Sequence, residues 1–158
     1  MPSRADIEMA IEAAAKRTGI DPATLRRMVQ IESGGNPSAV TGSYQGALQL
    51  SPSEFRKHGG GDIFNPLDNI MAGAQKIKSE GATFEKRYGR QPNAAELYLI
   101  HQQGWGGAQA HWDNPDQPAW RSMASTGEGR QNGEGWARKA IWGNVPDKIK
   151  KQYGSVDN

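Results

Sequence analysis

Cysteine is absent, which excludes disulfides, thiolate metal sites and a cysteine nucleophile and leaves the redox compartment open. Histidine is scarce. His58, His101 and His111 are the three present, and none stands at metal-ligand spacing with a carboxylate, so neither a metal nor any other cofactor is expected. No run approaches the roughly 18 apolar residues of a membrane span, and the first residues lack the basic head and apolar stretch of an export signal. An excess of one charge is missing too: 19 Lys+Arg against 17 Asp+Glu leaves a net +2, without the broad basic surface of a dedicated nucleic-acid binder. A hydrophobic fraction of 35% over 158 residues supports one core, so a single domain spanning residues 1–158 is expected.

What is present is a succession of short helical patterns punctuated by Gly and Pro. Ser3 and Asp6 resemble a capping box ahead of Ile7, Ala10, Ile11 and Ala14, and Gly19 stops that helix. Asp21-Pro22 opens a second helix, and Ser51-Pro52 with Glu54 opens a short third. Asn65-Pro66 starts a fourth, whose stripe Leu67, Ile70, Met71, Ala74 and Ile77 is expected to end at Gly81. Asn93 with Glu96 opens a fifth, carrying Leu97, Ile100 and His101. Residues 36–50 read as a loop or small β-hairpin. After Gly104 the chain turns Gly-, Trp- and Pro-rich, and the stretch from Trp136 to Trp142 again looks helical. The fold class is therefore mainly α, one small helical domain with a short hairpin segment.

One residue breaks the pattern. Leu25, Met28, Val29 and Glu32 fall at i, i+3, i+4 and i+7, so a carboxylate continues an apolar, core-facing stripe. Gly34-Gly35 then ends the helix, which puts Glu32 in the last turn, where the negative end of the helix dipole opposes a second negative charge. Partial burial acts in the same direction, and a carboxylic acid raised towards neutrality can donate a proton and take it back. Periodicity leaves a second reading equally open, in which Glu32 pairs with a cation such as Arg27 or Arg56.

The surrounding residues favour the first reading. Ile31-Glu32-Ser33, Asn36-Pro37-x-Ala39-Val40, Gly46-Ala47-Leu48-Gln49-Leu50-Ser51-Pro52 and Phe55 together resemble the signature of soluble lytic transglycosylase catalytic domains, in the superfamily of goose-type lysozyme. Asn65-Pro66-Leu67-Asp68-Asn69-Ile70 and the run from Glu96 to Gly104 continue it, so a motif-bearing core of about residues 20–110 is similar to that family. The resemblance implies a lysozyme-like α+β fold, Glu32 as the single catalytic acid and base, and peptidoglycan glycan strands as substrate. It also places Gln49 in the sugar cleft. His101-Gln102 stands where many members carry Tyr-Asn, so His101 takes the place from which the family's tyrosine approaches the acid. Ser33 is expected to hold the Glu32 carboxyl, and Tyr44 to wall a pyranose ring. At least half of the five tryptophans, Trp105, Trp112, Trp120, Trp136 and Trp142, are expected to fill core.

A conventional glycosidase needs two carboxylates. Glu54 reads as a helix cap, and Asp62, Asp68, Asp113 and Asp116 as turn or solvated charges. The resemblance implies that the substrate supplies what a second acid would: its N-acetyl group assists departure, and its own C6 hydroxyl captures the intermediate, leaving a 1,6-anhydromuramyl end. The alternatives are a water-using muramidase of the same fold, an inactive wall-binding virion module, and, on the basic stretch Gly19 to Arg27, a helix-turn-helix nucleic-acid binder. The beginning at Met1, Gly42-Ser43-Tyr44-Gln45-Gly46 and His101-Gln102-Gln103-Gly104 are closest to phage-associated members. They suggest a monomeric endolysin, or the lytic domain of a larger virion protein, acting on the periplasmic cell wall; a bacterial wall enzyme is the other setting. Because no metal is expected, wall lysis should proceed unchanged in EDTA, and zinc-restored activity after chelation contradicts that expectation.

Overall fold

A computed structural model describes residues 3–113. The reading of Trp136 to Trp142 as helical, and Asp116, Trp120, Trp136 and Trp142 themselves, lie outside the described residues. The chain divides into two compact units, Met1–Tyr98 and Leu99–Asn158. The described residues are mainly helical with one small hairpin, the α+β composition expected for a lysozyme-like domain.

The capping chemistry read from the sequence sets where the helices begin. In α1 (Arg4–Thr18) Ser3 and Asp6 form a reciprocal capping box, and Gly19 closes the helix at φ 80°. Asp21 accepts from the Ala23 N–H ahead of α2 (Pro22–Ser33), which ends at Gly34 with φ 63°. The hairpin follows as β1 (Val40–Thr41) and β2 (Tyr44–Gln45), antiparallel with Val40 opposite Gln45 and Thr41 opposite Tyr44. Ser51 and Glu54 box the start of α3 (Pro52–His58), and Asn65 caps α4 (Pro66–Tyr88). Asn93 and Glu96 exchange backbone bonds of 2.9 Å at the head of α5 (Ala94–Asp113).

Two boundaries depart from expectation. The fourth helix does not stop at Gly81 but runs through it to Tyr88, where Gly89 makes the left-handed exit. Gly81 is instead a contact point: a Cβ there would come within 3.3 Å of Leu97 and 3.6 Å of Pro92. Helical pattern also continues beyond Gly104, which breaks α5 with φ 75° and ψ 167°. Beyond that break Trp105 and Trp112 pack edge to face with ring centroids 6.1 Å apart.

The core of the first unit lies where α1 and α2 meet α4. Ile7, Ile11 and Ala14 of α1, Leu25, Met28 and Val29 of α2, and Ile70, Ala74 and Ile77 of α4 join Ala47 and Leu48 in one buried cluster. Each large aliphatic side chain fully buried here contributes roughly 1.5–3 kcal/mol. Arg26, a basic residue of the nucleic-acid reading, is engaged within the fold: its guanidinium joins α2 to α1 through Glu8 at 3.0 and 3.1 Å. Among the described residues, no helix is long and apolar enough to cross a membrane.

One buried polar side chain ties the hairpin segment to α4. Asn69 is fully buried; its Oδ1 accepts from the Leu48 N–H at 2.8 Å, and its Nδ2 donates to the Gln45 and Ile63 carbonyls at 3.1 and 2.9 Å. Gly46 passes so close that a Cβ would collide with Nδ2, and its φ of 82° also suits glycine. One turn further along α4, Gly73 makes room for the fully buried Leu48. Asn69→Leu leaves the Leu48 N–H and the Ile63 carbonyl without this partner and removes one of two bonds to the Gln45 carbonyl, which keeps the Leu50 N–H, and should lower stability by about 2–5 kcal/mol. Urea unfolding measures it; a midpoint near that of the parent chain contradicts the clamp role.

Candidate active site

Glu32 occupies the last turn of α2, one residue before the helix ends, and is half-buried. Its carboxyl is raised to about 7, because burial strips water from the charged form; the nearby Lys76 ammonium pulls in the opposite direction. The cation acting on Glu32 is thus Lys76 of α4, and among the described residues no ion pair joins Glu32 to Arg27 or Arg56. Near the start of α5 is Tyr98, packed on the buried cluster of the first unit, its phenol pushed up to about 12 by burial and by the Glu32 charge. Lys76 and Tyr98 are the neighbours that sequence reasoning missed. Tyr98 carried a signal, since it follows Leu97 on the inward face of its helix. Lys76, next to Gln75 and two residues before Lys78, reads as a solvated charge.

The residues expected beside Glu32 are placed as follows. The Ser33 hydroxyl donates back to the Val29 carbonyl at 3.0 Å, one helical turn earlier. Tyr44 lies on β2 and is 48% exposed, an aromatic face open to solvent. Gln49 is buried, with its Nε2 donating to the carbonyls of Gly46 at 2.8 Å and Ala39 at 3.1 Å. Those two acceptors fix the orientation of the amide, since the opposite orientation sets oxygen against oxygen. Its Oε1 is buried without a hydrogen-bond partner, and its backbone is left-handed at φ 52°. A non-glycine residue in that region is held there against a cost of order 1 kcal/mol. His101 and Gln102 belong to the second unit.

The acids set aside as caps do cap. Glu54 accepts from the Ser51 N–H at 3.0 Å, Asp62 from Phe64 and Asp68 from Asp62, each at 3.0 Å. Glu54 has a second engagement, 3.6 Å from the Lys76 ammonium. Among the described residues no group of three or more His, Asp or Glu side chains could hold a metal ion. A cavity of about 590 Å³ lies at the other end of α2, lined by Thr24, Glu85 and Leu97 among others, and does not include Glu32.

A half-buried acid that keeps its proton near neutrality can protonate a leaving oxygen and then act as a base. Residues 9–98 match the family described as Transglycosylase SLT domain. A relative named Transglycosylase, from Enterobacteria phage PRD1, is 31% identical over 99 residues, covering 61% of this chain. The chain spans 36% of that relative's length.

The raised Glu32 carboxyl has a consequence for stability. The unfolded chain releases this proton near 4.5 and the folded one near 7, so Glu32 costs stability increasingly as pH rises between those values, and by a constant amount above. Glu32→Gln should therefore be near neutral at pH 4 and more stable than the parent by roughly 1–3 kcal/mol at pH 8. Paired denaturant titrations at the two pH values check this; equal differences at both contradict the assignment.

Proposed function

The chain belongs to the transglycosylase SLT domain family, and from that membership we propose that it cleaves the MurNAc-GlcNAc β-1,4 bond of peptidoglycan as a lytic transglycosylase. The observation that carries the reading is Glu32: a desolvated carboxyl titrating near 7, within the segment that matches the family. Glu32 donates its proton to the glycosidic oxygen as the C1–O bond breaks, and the GlcNAc leaves with a free C4 hydroxyl. The N-acetyl carbonyl oxygen of the muramic acid bonds to C1 and holds the positive charge as an oxazolinium ion. The Glu32 carboxylate then takes the proton of the C6 hydroxyl, whose oxygen attacks C1 and displaces the acetamide. No water enters, and Glu32 ends protonated as it began.

Supporting roles follow from placement. Gln49, anchored through Nε2 with a spare buried acceptor, shapes the loop that meets the sugar, and the exposed ring of Tyr44 offers a stacking face. The Ser33 hydroxyl, satisfied as a donor by Val29, keeps its acceptor capacity towards a protonated neighbour. The roles of His101 and Gln102 rest on the sequence motif alone. The whole chain is proposed to act as one catalytic module on the bacterial wall, as a phage-encoded endolysin or as part of a virion protein.

Mass spectrometry of fragments released from purified wall tests the chemistry. Ends about 18 mass units lighter than hydrolysis products are expected, since intramolecular capture by the C6 hydroxyl outcompetes water through its effective concentration. Reducing ends identify a water-using muramidase instead. Folded Glu32→Gln should lose lysis by about 10²–10⁴-fold, the contribution of a positioned acid and base. Absence of lysis by the parent chain leaves only a wall-binding module.

A further inference from the structure

The face of α4 that meets the hairpin segment carries Asn69, Gly73 and Lys76, at i, i+4 and i+7. Asn69 accepts from the Leu48 N–H, and Gly73 makes room for the Leu48 side chain. Lys76 reaches the same segment through an acid. Its side chain is 8% exposed, and its ammonium pairs with Glu80 one turn along the helix and with Glu54 of α3. A lysine so deeply buried needs carboxylates to hold its charge.

The two oxygens of Glu54 serve different elements. Oε1 accepts the Ser51 N–H at 3.0 Å, the return bond of the capping box, while Oε2 lies 3.6 Å from the Lys76 ammonium. A capping box is ordinarily a contact within one turn. Here the second oxygen carries it across to α4. The loop backbone is thus tied to one helix at the N–H groups of Leu48 and Ser51, from anchors about 10 Å apart along the helix axis. Between those groups stand Gln49 and Leu50. Gln49 has the left-handed backbone at φ 52°, the amide held by the Gly46 and Ala39 carbonyls, and the buried Oε1.

We propose that Lys76, acting through Glu54, is a positioning residue for Gln49. The inference rests on the reading in which Gln49 shapes the loop that meets the sugar. Asn69 fixes the approach to Gln49, and beyond it Leu50 bonds back to Gln45, within the hairpin segment itself. The Lys76–Glu54 pair gives the far end an attachment outside that segment. The strain at Gln49 therefore cannot be released by a shift of Ser51 and α3 away from α4.

Glu54→Gln separates the cap from the clamp. A glutamine there still accepts the Ser51 N–H through its one carbonyl oxygen, but it then turns its amide hydrogens towards the Lys76 ammonium. Lys76 keeps Glu80 as counter-charge, so folding should be retained. Hydrogen exchange of the full chain should show the Leu50 N–H exchanging about tenfold faster, with α1 amides such as that of Ile11 unchanged. Lys76→Met combined with Glu80→Gln removes the other side of the clamp without orphaning Glu80, and should act in the same direction. On soluble peptidoglycan strands, KM should rise about threefold or more at nearly constant kcat, because a sugar-binding loop acts on bound substrate and transition state alike; mere loss of folded protein lowers kcat at constant KM. A Leu50 rate within about twofold of the parent in either folded variant, or a fall in kcat at constant KM, overturns the proposal. If the parent releases no glycan fragments, faster exchange confined to the loop supports the clamp and removes the reaction it was to serve.

Discussion

Three hydrogen bonds made by Asn69 hold the arrangement together. Without them the segment from Gln45 to Leu50 has little regular structure of its own, two residues per strand and one bridge from Gln45 to Leu50. A segment that short cannot stabilise itself in water. Asn69 matches one acceptor and two donor hydrogens to three backbone groups, of which the Gln45 carbonyl also accepts from the Leu50 N–H, and Gly46 and Gly73 remove the atoms that would keep the loop away from α4. The strained backbone of Gln49 is tolerable because its surroundings determine it on both sides.

Glu32 depends on the same helix by a different route. A carboxylate at the negative end of α2, half-buried, is a poor choice for stability, and the cation that acts on it is Lys76 of α4. A close ion pair would keep the acid ionised and unable to donate. An apolar wall alone would keep it protonated and slow to act as a base. Lys76 acts against burial at Glu32, so the helix that holds the loop also carries a cation that acts on the acid.

Glycine served two different purposes that look alike in sequence. Gly19, Gly34 and Gly89 end helices in the left-handed conformation, and the first two were readable because the apolar periodicity stops there. Gly81 sits in helical backbone and matters for the space it leaves to Leu97. A residue without a side chain announces neither role locally; the contact that distinguishes them comes from the following helix.

The helix starts were legible in the sequence. The caps at Ser3, Asp21, Ser51, Asn65 and Asn93, the apolar stripes they introduce, and the anomaly of an acid on the stripe of α2 depend on residues within a turn or two of each other. The anomaly of Glu32 could therefore be read before any coordinates. Its partners could not. Lys76 stands 44 positions away and Tyr98 66 positions away in the chain, and each looks like an ordinary helix residue until the fold lets it interact with Glu32. Asn69 likewise reads as one more polar residue in a capping region. Its value comes from three backbone groups contributed by the hairpin segment and by Ile63. Burial and electrostatic field are properties of the space around a residue, and only tertiary packing defines that space.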